Sequence, residues 1–281
     1  MAGVYYSEGE WFDEDPMILR MGDHASWLAS VVFDGARSIK GCVPDLELHC
    51  ARVVNSANVM GLAPPVTVDK IIELCIEGVR KLPQDSVLYV RPMFFGTSGF
   101  LVPDPEGTKF CLAIYDSPLP SFEGFSACLS TRRRPAKDMA PTDAKAACLY
   151  PNTQRAIREA NAKGFDNAII MDANGNIAEF ATSNIWIVKD GKAITPAVNG
   201  TFLAGVTRSR VAQLLADDGV EVVEAQLDMR DILDADEVFS SGNYGKVIPA
   251  TRIEDRDFQP GPIATKARDL YFAYAETCSV F

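Results

Sequence analysis

Histidine is nearly missing from this chain: His24 and His49 are the only two among 281 residues. That scarcity argues against a zinc centre and against acid–base chemistry built on imidazole. Seven cysteines (Cys42, Cys50, Cys75, Cys111, Cys128, Cys148 and Cys278) stand singly, odd in number and without a C-x-x-C pair. Neither a disulfide framework nor a metal site follows from them, and reduced thiols in a cytoplasm fit best. Basic residues are outnumbered, 27 Lys and Arg against 38 Asp and Glu, a net charge of -11. The overall field therefore repels nucleic acid and anionic lipid. One basic cluster, TRRRPAK (131–137), is too short to reverse it, and reads as a loop lining an anionic ligand or a subunit contact. No apolar run approaches the roughly 18 residues of a membrane span. The opening MAGVYYSEGEWFDEDP lacks the basic and apolar regions of a signal peptide, so a soluble, cytoplasmic protein is expected.

What remains is ordinary globular composition, 47% hydrophobic and 23% charged. GVYYSEGEWF reads as a hairpin. PDLELHCARVVNSANVMGL sets Leu46, Val53, Ala57 and Met60 on one helical face, with Gly61 as the stop, and TVDKIIELCIEGVRKL is a second amphipathic helix capped by Thr67. SVLYVRPMFF and KFCLAIY follow as strands. DSPLPSFEG (116–124) then breaks every periodicity and marks a linker. Beyond it, the Asn-Gly of NAIIMDANGNIAEFA and the Asp-Gly of SNIWIVKDGKAITP predict two further hairpins. Helical runs follow LAGVTRSR and close the chain at GPIATKARDLYFAYAET. Helices mixed with antiparallel hairpins give an α+β fold with two domains: 1–117, a loop at 118–124, and 125–281 carrying Lys145.

Some residues could carry chemistry, although each also has a plain structural reading as helix punctuation, an outward-facing strand position or a surface charge. Glu179 lies in a strand between apolar or small neighbours, where a carboxylate needs a cationic partner. Arg91, within LYVRPMFF, needs an anion for the same reason. Gly205, Val206 and Thr207 open a helix whose N–H groups could bind an anion, and the glycine-bearing turn SSGNYG, with Gly242 and Asn243, could complete a phosphate cradle. Lys145 sits among small residues in TDAKAACLY; alone, it reads as a solvated surface charge.

In their order, the segments VFDGARS, DLELHCARVVNSA, YVRP, DAKAACLY, GFDNAIIMDANGNIAEFATSNIWIV, LAGVTRSRV and ADEVFSSGNYGKVIP resemble the class IV pyridoxal-phosphate-dependent aminotransferases, in the branched-chain amino acid branch. The resemblance spans nearly the whole chain. It implies fold type IV, with a small N-terminal α/β domain and a larger C-terminal pseudo-barrel domain, working as a homodimer or higher oligomer. It makes Lys145 the lysine that holds pyridoxal 5'-phosphate as an imine, Glu179 the carboxylate facing the pyridine nitrogen, and Tyr150 the partner of the ring's 3' oxygen. Arg52, the N–H groups of Val206 and Thr207, Gly205, Gly242 and Asn243 correspond to phosphate binders. Tyr89 and Arg91 match a carboxylate-holding pair, Phe33 and Gly35 line the side-chain pocket, and Arg37 is a candidate for a second carboxylate.

The pattern departs from the family at Leu28, where a tyrosine is usual, at Asn243-Tyr244 in place of Thr-Ala, and at Cys148-Leu149 in place of Gly-Asn. Tyr244 could return the lost phenol from another direction. The implied reaction moves an amino group from a branched-chain L-amino acid to 2-oxoglutarate, with amino acids and 2-oxo acids as the small-molecule partners, no nucleic acid or membrane, and no metal. The rivals are an (R)-selective amine or D-amino acid transaminase and an aminodeoxychorismate-type lyase. YVRP and LAGVTR favour the first reading over these.

Overall fold

The computed structural model describes residues 2–281. Two compact units divide the chain. The first takes in the chain up to Leu119 together with Asp143–Leu149 and Ala275–Phe281; the second comprises Pro120–Thr142 and Tyr150–Tyr274.

In the first unit the elements run β1 (Gly3–Ser7), β2 (Glu10–Phe12), α1 (His24–Leu28), β3 (Val31–Phe33), β4 (Ala36–Ile39), α2 (Leu46–Val59), α3 (Val68–Arg80), β5 (Val87–Gly96) and β6 (Thr108–Asp116). The sheet is antiparallel, ordered β2-β1-β6-β5-β3, with β4 also on β5. In α2, Leu46, Cys50, Val53 and Ala57 recur every three or four residues and are buried, while Met60 is the half-buried residue that ends the helix. The Thr67 hydroxyl accepts the Lys70 N–H at 3.2 Å and starts α3 as the sequence implies. Both helices bury this face in one core with Val32, Val90, Phe94 and Leu112.

Two late segments join this core. Ala146 bridges Val32, and Ala144 and Ala146 are buried within it. Near the other, the Val43 N–H bonds the Cys278 carbonyl and the Val280 N–H bonds the Gly41 carbonyl. These units do not follow the 1–117 and 125–281 boundaries read from the sequence, because the lysine segment pairs with β3 and groups with the first unit.

The second unit contains β7 (Phe125–Arg133), α4 (Tyr150–Ala162), β8 (Asn167–Met171), β9 (Ile177–Phe180), β10 (Asn184–Lys189), β11 (Lys192–Pro196), α5 (Val206–Asp217), β12 (Val222–Ala225), α6 (Met229–Leu233), β13 (Glu237–Gly242), β14 (Lys246–Ile253), β15 (Arg256–Asp257) and most of α7 (Pro262–Glu276). Its sheet runs β12-β11-β10-β13-β14-β7-β8-β9, with β15 on β14, and mixes parallel with antiparallel pairs. The hairpin at Asp190-Gly191 has both residues at positive φ (49° and 74°), the twist that a two-residue turn requires. At the Asn-Gly hairpin the turn is different: the Asp172 carboxylate accepts the N–H groups of Asn174 and Asn176, and only Gly175 has positive φ.

Buried Glu237 closes the N-terminus of α7, accepting Ile263 N–H at 3.1 Å and Ala264 N–H at 2.8 Å. A carboxylate at that end meets both unpaired donors and the positive helix terminus. Glu237→Ala is expected to lower unfolding free energy by about 2 kcal/mol, read from the urea midpoint. An unchanged midpoint would show that the cap contributes nothing.

Candidate active site

Within the first unit, the candidate residues gather around the end of β3. The Phe33 N–H donates to the Lys145 carbonyl at 3.2 Å, and the Lys145 N–H donates to the Ser56 hydroxyl at 3.0 Å. Ser56 lies one helical turn beyond Arg52 on α2, so both residues share a face. The Lys145 ammonium sits 5.1 Å from the Phe33 ring centroid. The lysine is thus a residue with an anchored backbone in a half-buried position, not a solvated surface charge.

Arg52 is held by a group that the sequence did not single out. Asp34 is fully buried and receives Arg52 Nε at 2.7 Å and a second guanidinium N–H at 2.9 Å. It also accepts the Gly35 N–H and faces His49 Nδ1, each at 2.7 Å. Burial would raise the Asp34 pKa, but the Arg52 guanidinium and His49 outweigh it and hold the carboxyl well below its usual range. The signal for this group is the Asp-Gly of FDGARS, which reads by itself as a turn.

Phe33 and Gly35 flank Asp34. Beyond them, aromatic and guanidinium groups alternate across β4, β5 and β6. Arg37, fully buried and bonded to the Ser117 carbonyl, lies 5.8 Å from the Tyr89 ring. Tyr89 stacks on Tyr115 at 5.7 Å, and Arg91 lies 5.3 Å from Tyr115. Arg91 donates to the Tyr115 hydroxyl at 3.4 Å, yet its Nε is buried with no hydrogen-bond partner among the described residues. A buried guanidinium N–H left this way is suited to an incoming carboxylate.

In the second unit, Tyr150 opens α4. Glu179 lies in β9, 8% exposed, with Arg134 Nε 3.2 Å from its carboxylate. The cation that a strand-embedded glutamate needs is therefore supplied by the basic cluster. Arg134 also bonds the Thr201 carbonyl, and Arg133 bonds the carbonyls of Asp172 and Ala173. These two arginines do internal work, where the sequence suggested a ligand loop or a subunit contact.

No side chain caps the start of α5, where Gly205 occupies the cap position ahead of Val206 and Thr207. A Cβ at Gly205 would collide with the Asn184 carboxamide oxygen. Arg208 turns away from that end: its guanidinium bonds Thr195 Oγ1 and the Pro196 carbonyl and pairs with Glu224 at 3.0 Å, pinning the helix to the sheet. Asn184 pairs with Ser241 of β13, so the helix start adjoins the turn of Gly242, Asn243 and Tyr244. Arg268 of α7 bonds the Val247 carbonyl at 2.8 Å just past that turn, and Tyr244 is 62% exposed. An uncapped helix N-terminus beside a glycine turn suits a phosphate dianion. By chemical type, the amine at Lys145 and guanidinium at Arg52 in the first unit, and the carboxylate at Glu179 and this helix start in the second, are each groups that a phosphorylated pyridine aldehyde requires.

Residues 31–253 match the family model of amino-transferase class IV. A Methanocaldococcus jannaschii protein provisionally named branched-chain-amino-acid aminotransferase is 32% identical over 95% of this chain and 94% of its own. An aminotransferase from Brucella abortus, solved bound to PLP, is 43% identical with a TM-score of 0.97, over 98% of this chain and all of that one. The T.th. branched-chain amino acid aminotransferase complexed with N-(5'-phosphopyridoxyl)-L-glutamate is 27% identical with a TM-score of 0.91, over 98% and 95%. These likenesses run through both units and through every segment that carries a candidate residue. The chain belongs to the class IV aminotransferases, in the branched-chain-amino-acid aminotransferase family, and its cofactor is pyridoxal 5'-phosphate.

Proposed function

We propose that this enzyme transfers the amino group of a branched-chain L-amino acid to 2-oxoglutarate, with Lys145, Glu179 and Tyr150 as its catalytic residues. The observation that carries the choice of acceptor is the Arg37–Tyr89–Tyr115–Arg91 ladder, which offers two cations where a monocarboxylate needs one. The glutamate adduct held by the T.th. relative supports the same acceptor. Apolar Phe33 beside Gly35 suits an aliphatic side chain, and Tyr244 lends a further phenol to the carboxylate side.

When bound, the cofactor supplies an aldehyde for the incoming amine and an electron-poor ring that draws electrons from the substrate's Cα. Lys145 Nζ would hold the cofactor through its aldehyde and would serve as the base that takes the proton from the substrate's Cα. Glu179 keeps a proton on the ring nitrogen, and Tyr150 holds the 3' oxygen in place. Arg52, with the N–H groups of Val206 and Thr207 and the turn at Gly242 and Asn243, binds the phosphate, while Gly205 leaves room for the Asn184 carboxamide packed against the helix start. Glu179→Gln is expected to lower kcat by about 100-fold while cofactor occupancy, read by absorbance, stays near wild type. Equal loss of both would remove Glu179 from this role.

The enzyme acts in the cytoplasm as a homodimer or higher oligomer. Supporting the oligomer, Trp27, Phe100, Leu101 and Val102 are exposed, the Trp27 and Phe100 rings 5.9 Å apart. No helix among the described residues is long and apolar enough to cross a membrane.

The reading is tested by a donor panel of leucine, isoleucine, valine, D-alanine and (R)-1-phenylethylamine against 2-oxoglutarate and pyruvate. Highest kcat/KM with a branched-chain L-amino acid and 2-oxoglutarate is expected. Preference for D-alanine or the (R)-amine would move the enzyme to the rival class.

A further inference from the structure

Tyr115 lies near the end of β6 and stands directly opposite Tyr89 of β5, the two rings stacked at 5.7 Å with 23° between their planes. Side chains on one face of a strand recur at every second residue, so Tyr89, Arg91 and Met93 share a face, and Met93 is opposite Phe33 of β3. Arg91 and Tyr115 therefore stand one step along this face from the apolar ring that suits an aliphatic side chain. Arg91 is half-buried, and no carboxylate pairs with it among the described residues. Its Nη1 meets the Tyr115 hydroxyl at 3.4 Å, near the long limit of a hydrogen bond. A guanidinium only donates, so the Tyr115 oxygen accepts there. The phenol's own proton points elsewhere, to no acceptor among the described residues.

We propose that Tyr115 binds substrate: with Arg91 it takes the side-chain carboxylate of 2-oxoglutarate, the phenol O–H on one oxygen and Arg91 Nη1 on the other. The inference rests on the acceptor assigned above, and it names the residue that lets one pocket take a dicarboxylate and an aliphatic substrate in turn. Two donors 3.4 Å apart are close enough to share one carboxylate. The stack on Tyr89, and the Arg91 guanidinium 5.3 Å from the Tyr115 ring centroid, hold the phenol in place before any ligand arrives. A hydroxyl both donates and accepts. With a dicarboxylate bound, it donates to the ligand. With an aliphatic side chain in the pocket it goes back to accepting from Arg91, so the cation is not left without a partner against an apolar group.

Steady-state kinetics of the holoenzyme with leucine and 2-oxoglutarate test this, comparing wild type with Tyr115→Phe, which keeps the stacked ring and removes only the hydroxyl. KM for 2-oxoglutarate is expected to rise about 10-fold, the loss of one charge-assisted hydrogen bond, while kcat and KM for leucine stay within about twofold. Inhibitors report binding apart from turnover. Glutarate, a dicarboxylate, should inhibit Tyr115→Phe about 10-fold more weakly than wild type, and 4-methylvalerate, a monocarboxylate, should inhibit both alike. An unchanged KM for 2-oxoglutarate in the variant overturns the proposal. An equal loss for leucine or for 4-methylvalerate does the same, because the hydroxyl would then serve the carboxylate common to every substrate, or only the fold. Wild-type enzyme that does not use 2-oxoglutarate overturns the acceptor reading and this inference with it; failure of the inference alone shows only in the variant.

Discussion

Lys145→Ala is expected to lose at least about 10⁴-fold in turnover while the protein keeps its fold, because in the proposed role one change removes both the nucleophile and the group that moves the Cα proton. The backbone around position 145 explains why the fold persists. The contacts that anchor it are the N–H to Ser56 and the carbonyl to Phe33, and alanine retains both. Ala144 and Ala146, not the lysine side chain, are the residues packed into the core of the first unit. Borohydride treatment of wild-type protein should bleach its yellow colour and leave a pyridoxyl tag on the peptide bearing Lys145. Circular dichroism and steady-state rates on the alanine variant complete the test. A tag on another lysine, or more than a few per cent residual turnover, would end the assignment.

Asp34→Ala is the substitution expected to cost most stability, about 3–5 kcal/mol, since it strips the carboxylate from a guanidinium and an imidazole that were buried around it. The sign of its pH dependence follows from the depressed pKa of Asp34. A carboxyl that ionises more readily folded than unfolded contributes stability that is fully present above its unfolded pKa, about 3.9. That contribution is lost as pH falls through the lower folded value. The gap in unfolding free energy between wild type and Asp34→Asn should therefore be constant near neutrality and narrow below about pH 4. A gap that widens on acidification would show that Asp34 is not the group held ionised. Because Arg52 loses its bidentate partner in either variant, pyridoxal phosphate should also bind more weakly.

The sequence carried the local features well. Helices α2 and α3 follow from apolar spacing, the Thr67 cap from its position, and the Asp190-Gly191 hairpin from turn chemistry that few other dipeptides satisfy. What it did not carry are pairings between distant segments, which leave no periodic trace. Ala146 on Val32 is one, and it moved Lys145 into the first unit. Arg134 on Glu179 is another: the need for a cation was visible in the strand, but 45 positions of chain hide which cation answers it. Lys246 gave no signal at all, because a lysine between a glycine turn and VIPA reads as solvent-exposed until the sheet closes over it. Lys145, Tyr150 and Glu179 are nominated by the family resemblance and not by any apolar pattern, since chemistry, unlike packing, is specified residue by residue.

The first unit is assembled from three visits of the chain, and the last of them, Ala275–Phe281, emerges only after the whole of Pro120–Tyr274 has been synthesised. Contacts so remote in sequence form late, because a long stretch of polymer must be confined before they return any energy. On the ribosome, the nascent first unit therefore lacks both the segment that bears Lys145 and the tail that covers Gly41. With Lys145 in its proposed role, vitamin B6 loading is expected to follow the docking of these late segments, and cofactor uptake by ribosome-bound chains truncated after Tyr274 would contradict that order.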